Sequence, residues 1–321
     1  MKKNKSFIAS LSILVFLSSN ISFAPQLSNK KRDWMLKNFD ESMKKNGLHY
    51  PRFQKTPLLD FFRKMYNKNN LSVKQTKPET QIPKIIHQIW LGSKLPEKYK
   101  VLQDTVIKYH PDWKYKLWTD EEVKKIKLYN QEFFDKSKNY AEKSDILRYE
   151  ILYQFGGLYV DTDIECFKPF DILNENYKFY CGVRPLDHGY LSVQNCLIAS
   201  VPDHPILKHI IENIQPKTVV GDIIERTGPK HFSKYFVDVS KTLSQKEYEN
   251  VIALPSSYFF PTGLKNRTLR GKALKQHLKN FPEAFCIHYW DTSWSGDSNK
   301  FPDFQSEVER IQQGYNIHNI N

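Results

Sequence analysis

The stretch Ala141–Phe167, AEKSDILRYEILYQFGGLYVDTDIECF, decides how the rest of the chain reads. Ile146, Leu147, Ile151, Leu152 and Phe155 recur at three- and four-residue spacing with no proline among them, which predicts a helix. Gly156-Gly157 stops it, because residues without a Cβ favour the left-handed turn that closes helices. Leu158-Tyr159-Val160 has the apolar, aromatic and β-branched composition of a buried strand. Asp161-Thr162-Asp163 follows where that strand ends, and open α/β sheets bind ligands at the carboxyl ends of their strands. Two carboxylates in that place suit a hard divalent cation held through oxygen.

Working outward, Lys84–Leu91 (KIIHQIWL) predicts a core strand closed by Gly92, with His87 in the core. Pro96 opens a helix that runs to Tyr109, proline being well placed in a first turn. Trp113–Thr119 is a second strand, and Asp120-Glu121-Glu122 places acid at a helix start, where the macrodipole favours it. Strands are expected at Lys178–Val183 and Ser192–Ala199, with helices over Pro205–Ile214 and after Gly228-Pro229. Short strands at Val251–Leu254 and Cys286–Tyr289 precede a polar tail, residues 301–321. Strands alternating with helices predict an α/β sandwich around a mostly parallel sheet. No internal repeat is visible.

A chain of 321 residues can bury one large core. Its net charge of +13 is unevenly placed. Residues 1–80 carry 16 Lys or Arg against 5 Asp or Glu, whereas residues 81–321 carry 32 against 30. Nine of the 48 basic residues are arginine, the side chain favoured for phosphate and base readout, so no nucleic-acid partner is expected. The lysine-rich N-terminal quarter suits contact with an anionic membrane surface instead.

Residues 1–24 combine Lys2, Lys3 and Lys5, an apolar centre from Phe7 to Leu17 and a small-x-small pattern at Ser22-Phe23-Ala24. These are the parts of a signal peptide; Pro25 after the cut and Lys30, Lys31 and Arg32 beyond it keep an uncleaved anchor open. The protein is thus expected to be secreted or membrane-anchored. Residues 25–80 read as a basic helical appendage and linker packed on a main domain at 81–300. Cys166, Cys181, Cys196 and Cys286 form no CxxC pair and sit in apolar runs, which predicts buried free thiols, with one disulfide open in an exported protein.

Three chemistries compete for Asp161-Thr162-Asp163. A calcium loop fails, since Cys166 stands at the glycine position and Ile172 at the final glutamate. An aspartate-nucleophile phosphatase also places such a pair after an apolar strand, but early in the chain. In a nucleotide-sugar transferase, a cation bridges the pair and a diphosphate leaving group.

Context favours the third. IPKIIHQIWLG (Ile82–Gly92), YHPDWKYKLWT (Tyr109–Thr119), SDILRY (Ser144–Tyr149) and GGLYVDTD (Gly156–Asp163) resemble the signatures of glycosyltransferase family 32, whose sugar-binding region contains a D-x-D motif. The resemblance continues through Asn195, Thr227-Gly228-Pro229 and HYWDTSW (His288–Trp294). It implies a Rossmann-like nucleotide-diphospho-sugar transferase (GT-A type) domain. It also implies a retaining hexosyltransferase that uses Mn2+ or Mg2+ with a UDP- or GDP-sugar donor and a hydroxyl acceptor on a glycan, lipid or protein. Trp90 would stack on the donor base, and Asp145 with Arg148 would bind its ribose and sugar. Asp161 would touch ribose, sugar or metal, and Asp163 would coordinate the metal. Asn195 would hydrogen-bond the sugar or acceptor, His288 would complete the metal shell or contact the diphosphate, and Trp294, beside Ser293 and Gly296, would close over the donor. From the residues alone, Trp90 and His288 read equally as core groups, Asp145 and Arg148 as an intrahelical ion pair, and Asn195 as a satisfied buried amide. Glu165 reads as a surface residue. A non-catalytic nucleotide- or glycan-binding relative remains the other alternative.

Overall fold

The computed structural model describes residues 38–45, 55–74, 76–214, 222–291 and 304–313. The expected leader or anchor and the Trp294 loop lie outside these residues. Helices α1 (Phe39–Lys44) and α2 (Pro57–Asn69) come first. Proline in the first turn and the Thr56 hydroxyl accepting from Leu59 N at 3.3 Å start α2. Phe39, Met43, Leu59, Phe62, Met65 and Tyr66 belong to the main core cluster, so this basic region is seated by apolar side chains, with α2 against an edge of the central sheet.

Besides short helical turns, the elements that follow are β1 (Ile85–Ile89), α3 (Glu97–Tyr109), β2 (Lys114–Trp118), α4 (Tyr140–Phe155), β3 (Gly157–Val160) and β4 (Ile164–Cys166). They continue with β5 (Phe179–Val183), β6 (Val193–Ser200), α5 (Pro205–Glu212), α6 (Pro229–Ser240), β7 (Val251–Leu254), α7 (Gly271–Leu278), β8 (Cys286–His288) and α8 (Gln305–Gln312). The central sheet runs β2-β1-β3-β6-β5-β7, and β4 pairs with β8 in a two-stranded antiparallel sheet. Pairing is parallel throughout the central sheet except where β6 meets β3 and β5. This is the expected Rossmann-like α/β architecture, a mostly parallel sheet flanked by helices. No helix among the described residues is long and apolar enough to cross a membrane.

Two consequences of this topology build the site. Trp90 and Asp161 follow the carboxyl ends of β1 and β3, at one edge of the sheet. Because β6 is reversed, its beginning reaches the same edge: Leu197 lies opposite Val160, and Asp161 N donates to Cys196 O at 2.8 Å. Helix α4 packs on β1, β3, β6 and α5, and all residues from Asp145 to Leu152 are buried. Its polar side chains in that run therefore have to be paired inside the protein.

His87 is a core residue as expected. Trp118 Nε1 donates to its Nδ1 at 3.0 Å, so Nε2 carries the proton and donates to Gly156 O at 2.9 Å. Burial pushes its pKa down to about 4, with the Gly156 bond opposing. The four cysteines are buried and free.

Two expectations need correction. Glu165 is not at the surface: it is 3% exposed on β4, bonded by Tyr289 and Arg310. The 301–321 stretch is not simply a polar tail, because it contains α8, with Glu307 and Val308 buried. Both follow from one ion-paired cluster between segments far apart in sequence, which local polarity does not reveal.

Gly157 joins α4 to β3 at φ 102°, and a Cβ there would lie 2.5 Å from Ile85 O and 3.0 Å from His87 Nε2. Backbone cannot give way as a flexible side chain can. Gly157→Ala is expected to lose roughly 3 kcal/mol from left-handed strain and the clash together. Urea unfolding would show the midpoint falling, and an unchanged midpoint would remove this constraint.

Candidate active site

The floor of the site is the turn after β3. Asp161 is the more open carboxylate, 24% exposed against 8% for Asp163, so it faces the cleft while Asp163 is held beneath. Asp161 Oδ1 accepts from Tyr159 OH at 2.5 Å and from Arg148 at 3.2 Å. Tyr159 and Asp161, two residues apart in extended chain, project to the same side. Burial raises the Asp161 pKa; Arg148 opposes the rise and neighbouring Asp163 adds to it.

Asp163 Oδ1 lies 3.1 Å from His288 Nε2, and its Oδ2 accepts from Asp291 N at 2.8 Å. The pairing Ile164↔His288 between β4 and β8 sets His288 opposite this turn. Burial alone would lower the His288 pKa, but the Asp163 carboxylate overcomes it and holds the imidazole well above its usual range. The other ring nitrogen, Nδ1, is buried without a geometric hydrogen-bond partner, and the Cys196 thiol is a polar neighbour of the ring. Trp290, next along the chain but one, adopts φ 56°, a left-handed conformation costly for a bulky side chain. Its ring packs against both His288 and His188, at 4.3 and 4.4 Å between centroids.

The wall is α4. Arg148 donates to Ser144 O at 3.1 Å and Asn195 O at 2.8 Å, and lies 3.2 Å from Asp145 Oδ1. Its guanidinium covers the Tyr159 ring at 4.6 Å. Asp145 also accepts from Asn195 Nδ2 at 2.8 Å and Thr227 Oγ1 at 3.2 Å. Burial lifts its pKa to about 6, with Arg148 the main opposing influence. Asn195 donates as well to Tyr149 OH at 2.9 Å, so side chains rather than backbone satisfy its amide.

Asp145, Arg148, Tyr159, Asp161, Asp163 and Asn195 line a cleft of about 470 Å³ with Trp90 and Tyr99 at its side, their rings 4.8 Å apart. Tyr99 OH and Lys98 both bind Asp291 Oδ2, at 2.8 and 2.7 Å, which ties α3 to the turn below Asp163. A hollow of about 670 Å³ lies on the edge strand β2, but its sole carboxylate among the lining residues is Glu122. The paired acids place chemistry in the first cleft.

The structure therefore brings together Trp90, Asp145, Arg148, Asp161, Asp163, Asn195 and His288 from the expected set. Four residues escaped the sequence reading: Tyr159, Tyr149, Asp291 and Cys196. Tyr159 was accessible through the alternation of side chains in a strand; the others meet the site through pairings remote in sequence. The donor set fits a divalent cation. Asp161 Oδ2 and His288 Nε2 stand 4.0 Å apart with Asp163 Oδ1 adjacent, giving two carboxylates and an imidazole around one point.

Residues 96–180, which include Asp145, Arg148, Asp161 and Asp163, match the family described as "Glycosyltransferase sugar-binding region containing DXD motif". Inositol phosphoceramide mannosyltransferase 2 of Schizosaccharomyces pombe is 36% identical over 148 residues, 45% of this chain and 41% of that protein. Inositol phosphoceramide mannosyltransferase 1 of the same yeast is 29% identical over 231 residues, 68% of this chain and 64% of that protein. The chain thus spans less than two thirds of each of these relatives. Among solved structures, PaToxG Glycosyltransferase superposes with a TM-score of 0.45 at 20% identity, over 59% of this chain and 79% of that one. The turn that carries Asp161 and Asp163 lies inside the matched region, so the part of the chain that builds the site is similar to the glycosyltransferase sugar-binding region containing the DXD motif.

Proposed function

We propose that this protein is a metal-dependent, retaining glycosyltransferase that moves a hexose from a UDP- or GDP-sugar to a hydroxyl acceptor. The observation that carries this reading is the meeting of Asp161, Asp163 and His288 beside a cleft walled by Arg148, with the two aspartates and Arg148 inside the family's matched region. Relatives named as mannosyltransferases acting on a ceramide-linked inositol phosphate put mannose first among the sugars and a glycolipid first among the acceptors. Glycan and protein acceptors are the other members of the class. Residues 1–24 and the lysine-rich region after them are consistent with work at a membrane surface.

Each group has a task in this proposal. Asp161, Asp163 and His288 would hold Mn2+ or Mg2+, which, when bound, offsets charge on a departing diphosphate. Arg148, fixed by bonds to Ser144 O and Asn195 O, presents a cation to the donor without having to reorganise. Trp90 stacks on the base, while Asp145 and Asn195 accept and donate hydrogen bonds to ribose or sugar. The bond between the anomeric carbon and the diphosphate oxygen breaks on the face where the acceptor oxygen arrives. The acceptor proton passes to the departing phosphate oxygen, so the configuration is retained and no protein nucleophile is consumed.

The test is to incubate the protein with Mn2+ and UDP- or GDP-linked glucose, galactose and mannose, and to measure the nucleotide released. Release from one donor, abolished by chelator, is the expected result. Release of phosphate from simple esters, with every nucleotide sugar left intact, overturns the proposal; so does binding of a donor without turnover.

A further inference from the structure

We propose that Asp161, Cys196 and His288 form a zinc-type site that overlaps the centre described above. One carboxylate oxygen, one sulfur and one imidazole nitrogen from these residues all lie within 4.8 Å of one another. The three come from separate strands brought to one point: the end of β3, the start of the reversed β6, and β8. Cys196 is 3% exposed and His288 is 7% exposed, so the sulfur and nitrogen are placed by the core rather than by a loop. The His288 Nδ1 without a geometric partner shows that the surroundings of this ring are not saturated by the protein itself.

The donor types decide which ion fits. Mg2+ and Mn2+ are served by oxygen, and a thiol adds little to their binding. Zinc takes sulfur, nitrogen and carboxylate oxygen together, with bonds of about 2.0–2.3 Å that space tetrahedral ligands by roughly 3.3–3.8 Å. Drawing atoms now within 4.8 Å to that spacing requires shifts on the order of 1 Å. Binding exchanges the thiol proton for the metal: Cys196 loses H+ to solvent as its sulfur bonds to Zn2+, and the fourth position stays open to water. His288, whose Nε2 proton faces Asp163, also gives up a proton to solvent so that an imidazole lone pair bonds to the ion. Asp161 and His288 cannot serve zinc and a donor-linked Mn2+ at the same time, so occupancy by one excludes the other. That exclusion rests on the transferase reading; the zinc site does not.

Cobalt tests it, because tetrahedral Co2+ bound through sulfur gives a sulfur-to-metal charge-transfer band in the near ultraviolet. Titrating the full chain with Co2+ should develop this band with one equivalent, and Zn2+ should erase it. Cys196→Ser, checked for native circular dichroism, should lose the band and bind Zn2+ about a hundredfold more weakly. Mn2+ bound to the wild-type protein, followed by electron paramagnetic resonance, should be released by one equivalent of Zn2+. A spectrum without the band, or a band that survives in Cys196→Ser, overturns the site. Retention of Mn2+ against zinc overturns the exclusion. If no donor in the panel above is turned over while the cobalt band appears, the transferase reading fails and the zinc site stands.

Discussion

Asp163→Asn is expected to reduce nucleotide release by roughly 10²–10³-fold or more while leaving the fold in place. Asn has nearly the shape of Asp, and its amide oxygen can still accept from Asp291 N, which now donates to Oδ2 at 2.8 Å. The anionic oxygen facing His288 at 3.1 Å is what disappears. Without it a bound cation would lose one formal charge in its ligand set, and in the metal-free protein His288 loses the carboxylate that raises its pKa against burial. The measurement pairs turnover in Mn2+ with a thermal unfolding curve. A variant that unfolds cooperatively near the wild-type temperature but releases no nucleotide isolates the charge. Turnover within threefold of wild type would remove Asp163 from the metal site.

Arg310→Ala is expected to cost about 3–5 kcal/mol of stability, the usual penalty for stranding buried charge. Arg310 NH2 lies 2.7 Å from both Glu165 oxygens, and its Nε lies 2.7 Å from Glu307 Oε2. The two carboxylate side chains are 4% and 0% exposed. Tyr289 OH donates to Glu165 at 2.6 Å and Gly271 N to Glu307 at 2.6 Å, but neither supplies charge. Burial already raises the Glu165 pKa, with Arg310 as the first opposing influence, so removing Arg310 raises it further. An acid whose folded pKa exceeds its unfolded one gains stability as pH falls toward the unfolded value. The deficit of Arg310→Ala relative to wild type should therefore shrink between pH 7.5 and pH 5.5 in urea unfolding. A deficit below 1 kcal/mol, or one independent of pH, would show that α8 is not latched by this cluster.

Much of the architecture could be read in advance because it rests on local patterns. The run from Ile146 to Phe155, the two glycines and Leu158-Tyr159-Val160 became α4, its end and β3. The direction of β6 was not legible, because Val193–Ser200 is buried on every residue and offers no alternation to orient it. The site was legible to the extent that its residues lie in motifs: Trp90, Asp145, Arg148, Asp161, Asp163, Asn195 and His288 do meet. Glu165 was misread because its partner is 145 positions away, and no spacing rule reaches that far. Cys196 read only as a buried thiol, not as part of the site, since only the pairing of β3 with β6 brings it beside Asp161.

The reversal of β6 also shapes how such an enzyme can diversify. Since β5 ends and β6 begins at the ligand edge, residues 184–192 are a hairpin connection hanging beside the centre, with His188 against Trp290. A parallel neighbour would have needed a crossover threading the far side of the sheet. A hairpin instead can be lengthened, shortened or exchanged without disturbing strand register, so in the proposed transferase this connection is where acceptor preference would change while the carboxylate centre stays as it is.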